Sequence, residues 1–202
     1  MSEAADRVAI RDLIERWVIW RDAGDWERFR TLWHDDGRMS ATWTQSPVDE
    51  FIASSRQALA AGMRALHFLG GQTIDLAGDR AVSQVKRTIS VRGQLEGVAC
   101  DIGSSGRFYD FLERRSERWG LVFRQPIYEK DRADPIDSSA RLSLDRTLLE
   151  SFPEGYRHLA YFQTKLGFAV KTDLPGATGA TLDALYARGA AWLAGTNVFT
   201  DA

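Results

Sequence analysis

Three helical patterns come first in this chain, and from Ala65 onward only long strand-like runs follow, as far as Lys130. This segregation is the strongest constraint on the fold. Strands joined directly by short turns pair antiparallel, whereas parallel pairing needs long crossovers, usually helical. The order therefore predicts an α+β protein with helices on one face of an antiparallel sheet, not alternating βαβ units. The runs are Ala65–Leu69 with Thr73–Ala77, Arg80–Gln94, Val98–Glu113 and Trp119–Lys130. Gly70-Gly71, Gly103 and Gly106 interrupt them as bulge or bend points, which suits a strongly curved sheet. No GxGxxG joins a strand to a helix, so Gly70-Gly71 is no dinucleotide fingerprint.

The helical patterns are equally local. Over residues 5–22, Ile10, Leu13, Ile14, Trp17, Val18 and Arg21 share one helix face. Ala23-Gly24 ends that helix. A short second helix carries Trp26, Phe29, Leu32 and Trp33, with Asp25 as its N-cap. His34-Asp35-Asp36-Gly37 reads as an exposed turn, followed by a short strand from Arg38 to Thr44. Ser46, Pro47 and Asp49 predict the start of a third helix, closed by Gly62. Beyond the strands, helices are expected at 144–150, at Pro153–Leu166 and at Thr181–Ala194, with a Pro- and Gly-rich loop at 173–179.

Bulk properties exclude several classes of function. A length of 202 residues suits one core, with 44% hydrophobic and 27% charged residues. The net charge of −2 offers no basis for binding nucleic acid. Cys100 is the sole cysteine, so neither an intrachain disulfide nor a cysteine zinc site is expected, and a reducing, cytoplasmic location is the natural reading. The acidic start, Met1 to Asp6, has no apolar signal core, and no apolar run is long enough for a membrane span. His34, His67 and His158 lie far apart without HExxH-type spacing, so no metal is expected. No nucleophile elbow is present. Seven tryptophans supply enough aromatic surface to line a pocket for a flat apolar ligand.

The opening helix, Asp22, the Asp25-Trp26 to Leu32-Trp33 segment and Asp35-Asp36-Gly37 together resemble the SnoaL-like group of the nuclear-transport-factor-2-like superfamily. Tyr109-Asp110, Glu113-Arg114-Arg115, Trp119, Arg124, Tyr128 and Asp131 extend the resemblance over roughly residues 5–131. It implies a cone-shaped α+β barrel over 1–131, in which three N-terminal helices close a curved antiparallel sheet. Residues 132–202 then form a helical extension, either a lid or a contact between subunits. Within that group the chain is similar to the scytalone-dehydratase-like and hexachlorocyclohexane-dehydrochlorinase-like lyases. The resemblance implies that Asp22 and His67 are catalytic, that no cofactor is used, and that the protein is a homotrimer or homodimer. It departs from the dehydrochlorinase type in having Trp17 and Val18 where that type carries a lysine. Arg107, Arg114, Arg115 and Arg124 compete for the role of its late arginine.

A carboxylate that orients an imidazole makes a general base near neutral pH. Asp22 and His67 are the candidate dyad. Trp17, Trp20, Trp33, Trp43, Arg107, Tyr109 and Tyr128 are the candidates for binding substrate. Arg87, Arg92, Arg107, Arg114, Arg115 and Arg118 read mostly as a solvated sheet face, and His158 as structural or interfacial. The expected activity is elimination (dehydration, dehydrohalogenation or retro-aldol cleavage) on a small apolar, aromatic or cyclic molecule. An isomerase or cyclase of the same fold, or a non-catalytic binding module, are the alternatives.

Overall fold

The structure, a computed structural model, describes residues 2–199. Helix α1 spans Glu3–Ala23 and α2 spans Trp26–Arg30. Strands β1 (Trp33–Ser40) and β2 (Gln45–Pro47) lead into α3 (Val48–Ala60). Four long strands follow: β3 (Ala65–Ala77), β4 (Arg80–Leu95), β5 (Val98–Arg115) and β6 (Arg118–Pro135). The extension holds α4 (Arg146–Glu150), a 3₁₀ turn at Glu154–Tyr156, α5 (Arg157–Lys165) and α6 (Ala180–Leu193). Among the described residues no helix is long and apolar enough to cross a membrane.

The sheet order is β2-β1-β6-β5-β4-β3, antiparallel except where β1 meets β6. Helices α1 to α3 cover one face, where Ile10, Ile14, Trp17, Phe29 and Phe51 pack on Val85, Phe108, Leu112 and Leu121. On the opposite face α6 buries Leu182, Leu185 and Trp192 against Val82, Tyr109, Phe111 and Ile127. A third cluster joins α5 to the far ends of β4 and β5 through Leu159, Phe162, Val91, Leu95 and Ile102.

Several local expectations give way to tertiary pairing. His34 to Gly37 forms no turn but the irregular start of β1, where the register with β6 shifts between Trp33 and Arg38. His34 is buried, not exposed, and its Nε2–H donates to the Glu113 carbonyl at 2.8 Å. Helix α3 starts at Val48 with no side-chain cap. Ser46 instead bonds the Thr44 hydroxyl, and Asp49 accepts from Arg30 at 2.6 Å. The Gly70-Gly71 break is a bulge within one strand, since the β3–β4 register shifts between Leu69 and Gln72. Gly106 marks another shift, and a Cβ there would sit 2.0 Å from the Ile127 carbonyl oxygen. Gly103 pairs in regular register with Arg132. Strand β6 runs to Pro135, four residues beyond the expected end of the barrel, because Cys100 to Gly103 of β5 remain available to pair with it. The helix expected over Pro153–Leu166 divides into the 3₁₀ turn and α5.

An ion pair lies inside the apolar layers. Arg124 of β6 and Asp110 of β5 are direct cross-strand partners, joined by two hydrogen bonds of 2.6 and 2.8 Å. Both side chains are fully buried. Burial pushes the Asp110 carboxyl up, while the Arg124 charge pulls it back. The guanidinium lies 4.2 Å from the ring centres of both Trp17 and Phe108, which adds cation–π attraction in a dry setting. Removing one partner would leave the other charge buried and alone. Asp110→Ala is therefore expected to lower unfolding stability by about 3–5 kcal/mol in urea titrations. Replacing both residues by apolar ones of similar volume should cost far less. Equal losses would show that the pair contributes only packing.

Candidate functional site

Helix α1 ends where Gly24 adopts a left-handed conformation (φ 72°), which a side chain would strain. That stop leaves Asp22 in the last turn of α1, beside the first residues of β3. Its carboxylate grips His67 twice. Oδ1 accepts from the imidazole Nδ1–H at 2.6 Å, and Oδ2 accepts from the His67 backbone N–H at 2.6 Å. An Asp at a helix C-terminus opposes the macrodipole. Two charge-assisted bonds offset that cost here. Both side chains are shielded, His67 at 5% and Asp22 at 16% exposure.

With Nδ1 committed to Asp22, the lone pair of His67 resides on Nε2, which has no hydrogen-bond partner among the described residues. The Trp17 ring stands edge-on to the imidazole with centres 5.5 Å apart, and Phe108 lies 6.2 Å away. Burial holds the imidazole pKa below its ordinary value. Asp22 opposes that shift, and the charges of Arg21 and Arg87 reinforce it. His67 is thus a neutral, oriented base near pH 7.

His67 lines a cavity of about 90 Å³. Trp17 and Arg21 come from α1, Trp43 and Phe51 from the β1–α3 region, and Ile89, Phe108, Pro126 and Tyr128 from the sheet. The extension closes it with Leu159, Phe162, Gln163 and Phe168. Cavities of about 150 Å³ hold a benzene ring. At about 90 Å³ this space is smaller than that, so a single small ring is its upper limit and requires the walls to give slightly.

Of the residues singled out in the sequence, Asp22, His67, Trp17, Trp43 and Tyr128 come together here: Asp22 grips His67, and the other four line the cavity. Trp20, Trp33, Arg107 and Tyr109 lie elsewhere. Trp33 is sealed in the helix-covered core against Phe29, and Trp20 packs at its margin under Arg16. Alternation along β5 turns Phe108 and Asp110 toward the helices α1–α3, and Arg107 and Tyr109 toward α6. Arg107 there bonds Glu129, Gln84 and Tyr186, and the Tyr109 ring lies 5.5 Å from that of Tyr186.

On the sheet Arg124 and Arg87 face inward, whereas Arg21 of α1 lines the cavity itself. Arg87, expected on a solvated face, is 2% exposed. It donates from Nη1 to the Ser104 carbonyl and hydroxyl at 2.8 Å and lies over the Tyr128 ring at 4.8 Å. Burial lowers its pKa to about 10, although the charges of Glu129 and Asp131 pull it the other way. The Tyr128 hydroxyl accepts from the Thr42 N–H at 3.3 Å, and burial keeps the phenol protonated by raising its pKa. Sequence reasoning missed the contribution of α5. Leu159, Phe162 and Gln163 fall at i, i+3 and i+4 on one helix face, a detectable pattern whose destination was not legible. His158, outside the cavity, ties α5 to β6. Its Nδ1–H donates to Asp131 Oδ1 at 2.9 Å, while Oδ2 takes the Leu159 N–H at 2.8 Å.

Residues 2–125 match the SnoaL-like domain family. Pea pathogenicity protein 2 of Fusarium vanettenii is 32% identical over 179 residues, covering 87% of this chain and 77% of that protein. An uncharacterised protein of Emericella nidulans is 33% identical over 209 residues, covering 96% and 88%. Among solved structures, a hexachlorocyclohexane dehydrochlorinase (LinA, type 2) superposes with a TM-score of 0.57 at 16% identity, covering 71% of this chain and 95% of that one. A scytalone dehydratase assigned by similarity in Novosphingobium aromaticivorans gives 0.53 at 14% identity, covering 68% and 97%. These structural likenesses concern the fold.

The dyad geometry makes a spectroscopic prediction. Imidazole ¹⁵N shifts should show His67 still neutral at pH 6.5. Asp22→Asn should lower its pKa further, because the carboxylate charge that favours the imidazolium is gone. A rise in that variant would contradict the assigned pairing.

Proposed function

The chain belongs to the SnoaL-like family, and we propose that its cavity is the active centre of a cofactor-independent lyase acting on a small single-ring substrate. The observation that carries this reading is the 2.6 Å bond from His67 Nδ1–H to Asp22 inside an aromatic enclosure, with Nε2 left unengaged. Nε2 removes a proton from substrate carbon. The C–H electron pair becomes the new double bond as the bond to the leaving group breaks. Asp22 stabilises the imidazolium that forms and keeps the ring in place.

For dehydration the departing oxygen must also gain a proton. Tyr128 is a neutral hydroxyl donor lining the cavity, and its oxygen accepts the Thr42 N–H, which leaves its O–H hydrogen for the departing group. The imidazolium proton returns through solvent, Tyr128 is reprotonated, and the net products are water and an unsaturated ring. Arg87, stacked on Tyr128, favours negative charge developing on that oxygen. The aromatic walls exclude water and hold a flat ring between Trp17, Trp43 and Phe108. The dehydratase and dehydrochlorinase named among the structural neighbours are consistent with elimination on this fold.

Single-ring alcohols and diols should be screened for the absorbance of a new double bond, with product mass lower by that of the leaving group. His67→Ala is expected to lower kcat roughly 10²–10⁴-fold. Chelator-treated protein should keep full activity. The active form is neutral imidazole, and burial holds its pKa under 6.5. The acidic limb of kcat/KM should accordingly be centred below pH 6.5. An acidic limb centred above 6.5, or full activity in His67→Ala, would overturn the mechanism.

A further inference from the structure

Helix α5 presents Leu159, Phe162 and Gln163 to the cavity. Apolar residues at the first two positions shield the site. At the third, leucine would do the same without burying an amide. Gln163 is instead 9% exposed, and its side-chain Oε1 is buried with no hydrogen-bond partner among the described residues. Its backbone carbonyl is occupied, accepting from the Leu166 and Phe168 N–H groups, so the side chain is not needed to finish the helix. Buried acceptors are rarely left unpaired, and those that are call for an explanation. Gln163 lines the cavity, so a ligand there is the nearest partner toward which the amide can turn. Trp17, which also lines the cavity, likewise carries a buried indole N–H without a partner among the described residues.

We propose that Gln163 is a specificity-determining residue, whose amide oxygen accepts a hydrogen bond from a ring hydroxyl of the substrate. This rests on reading the cavity as a small-molecule site, and it narrows the ligand class to hydroxylated single rings, phenols and cyclic alcohols. The selector lies outside residues 2–125, in the extension, so ligand choice and proton abstraction are assigned to separate parts of the chain. A site built to pair a hydroxyl discriminates strongly against the analogue that lacks it, because its own polar group is then stranded.

Phenol and toluene have the same number of heavy atoms and nearly the same shape, and differ by the hydroxyl. Their affinities for the full-length protein are to be measured by calorimetry for the wild type, Gln163→Met and Gln163→Glu. The readout is the ratio of the two dissociation constants, which does not depend on the fraction of folded protein. The wild type is expected to prefer phenol, and Gln163→Met to lose roughly tenfold of that preference, about 1.4 kcal/mol. Gln163→Glu, which retains an acceptor oxygen, should keep it. An unchanged ratio in Gln163→Met would overturn the assignment and leave the lyase reading intact. Failure of the wild type to bind either compound would overturn it together with the single-ring reading of the cavity. Loss of turnover in His67→Ala is independent of all three outcomes.

Discussion

The buried Arg124–Asp110 pair is the interaction on which the layers of this protein converge. It joins β5 to β6 at the centre of the sheet and fills the space beneath two rings, Trp17 from α1 and Phe108 from β5. Those rings also border His67 and line the cavity. A charged pair in so dry a place is weak evidence for stability as such, because desolvation consumes much of its attraction. Its planar fork does require one register of β5 against β6 and one position of α1 above them. Together these hold the wall of the cavity against His67.

Asp22 performs a related task at the edge of the sheet. A single hydrogen bond to the imidazole would leave the ring free to swing with its strand. By holding the His67 backbone N–H with its second oxygen, Asp22 ties the end of α1 to the start of β3 and orients the side chain at once. The Asp131–His158–Leu159 contact repeats this arrangement where α5 meets β6. The two carboxylates anchor elements that border the cavity, one holding His67 and the other the helix that contributes Gln163.

Much of the architecture was legible from local pattern. The order of helices before strands, the α1 face of Ile10, Leu13, Ile14 and Trp17, and the long β4 to β6 runs all express periodicities that the chain carries regardless of partners. The turn expected at His34 to Gly37 was not realised, because pairing with β6 on either side of it, at Trp33 and from Arg38, drew the segment into β1 as an irregularity. Inside the site, Asp22 and His67 were reached through resemblance, and Trp17, Trp43 and Tyr128 through aromatic content near them. Arg107 and Tyr109 were misplaced by one face, and Arg87 was taken for a surface residue. Strand alternation flips at each bulge, so the direction of a side chain cannot be read until the bulges are located.

The sequence by itself determined the helical character of α1 to α3, the unbroken succession of long strands from β3 to β6, and the positions of an acid at the end of α1 and an imidazole at the start of β3. Those features rest on nearest-neighbour conformational preference and hydrophobic period, both properties of short stretches. Only the tertiary structure decided that Arg87 and Arg124 face inward, that Tyr109 packs on α6, and that α5 folds back to close the cavity with Gln163. Each of these depends on register between strands distant in sequence, or on where an apolar helix face finds cover. Such choices are made by burial of the whole chain, and no local stretch contains them.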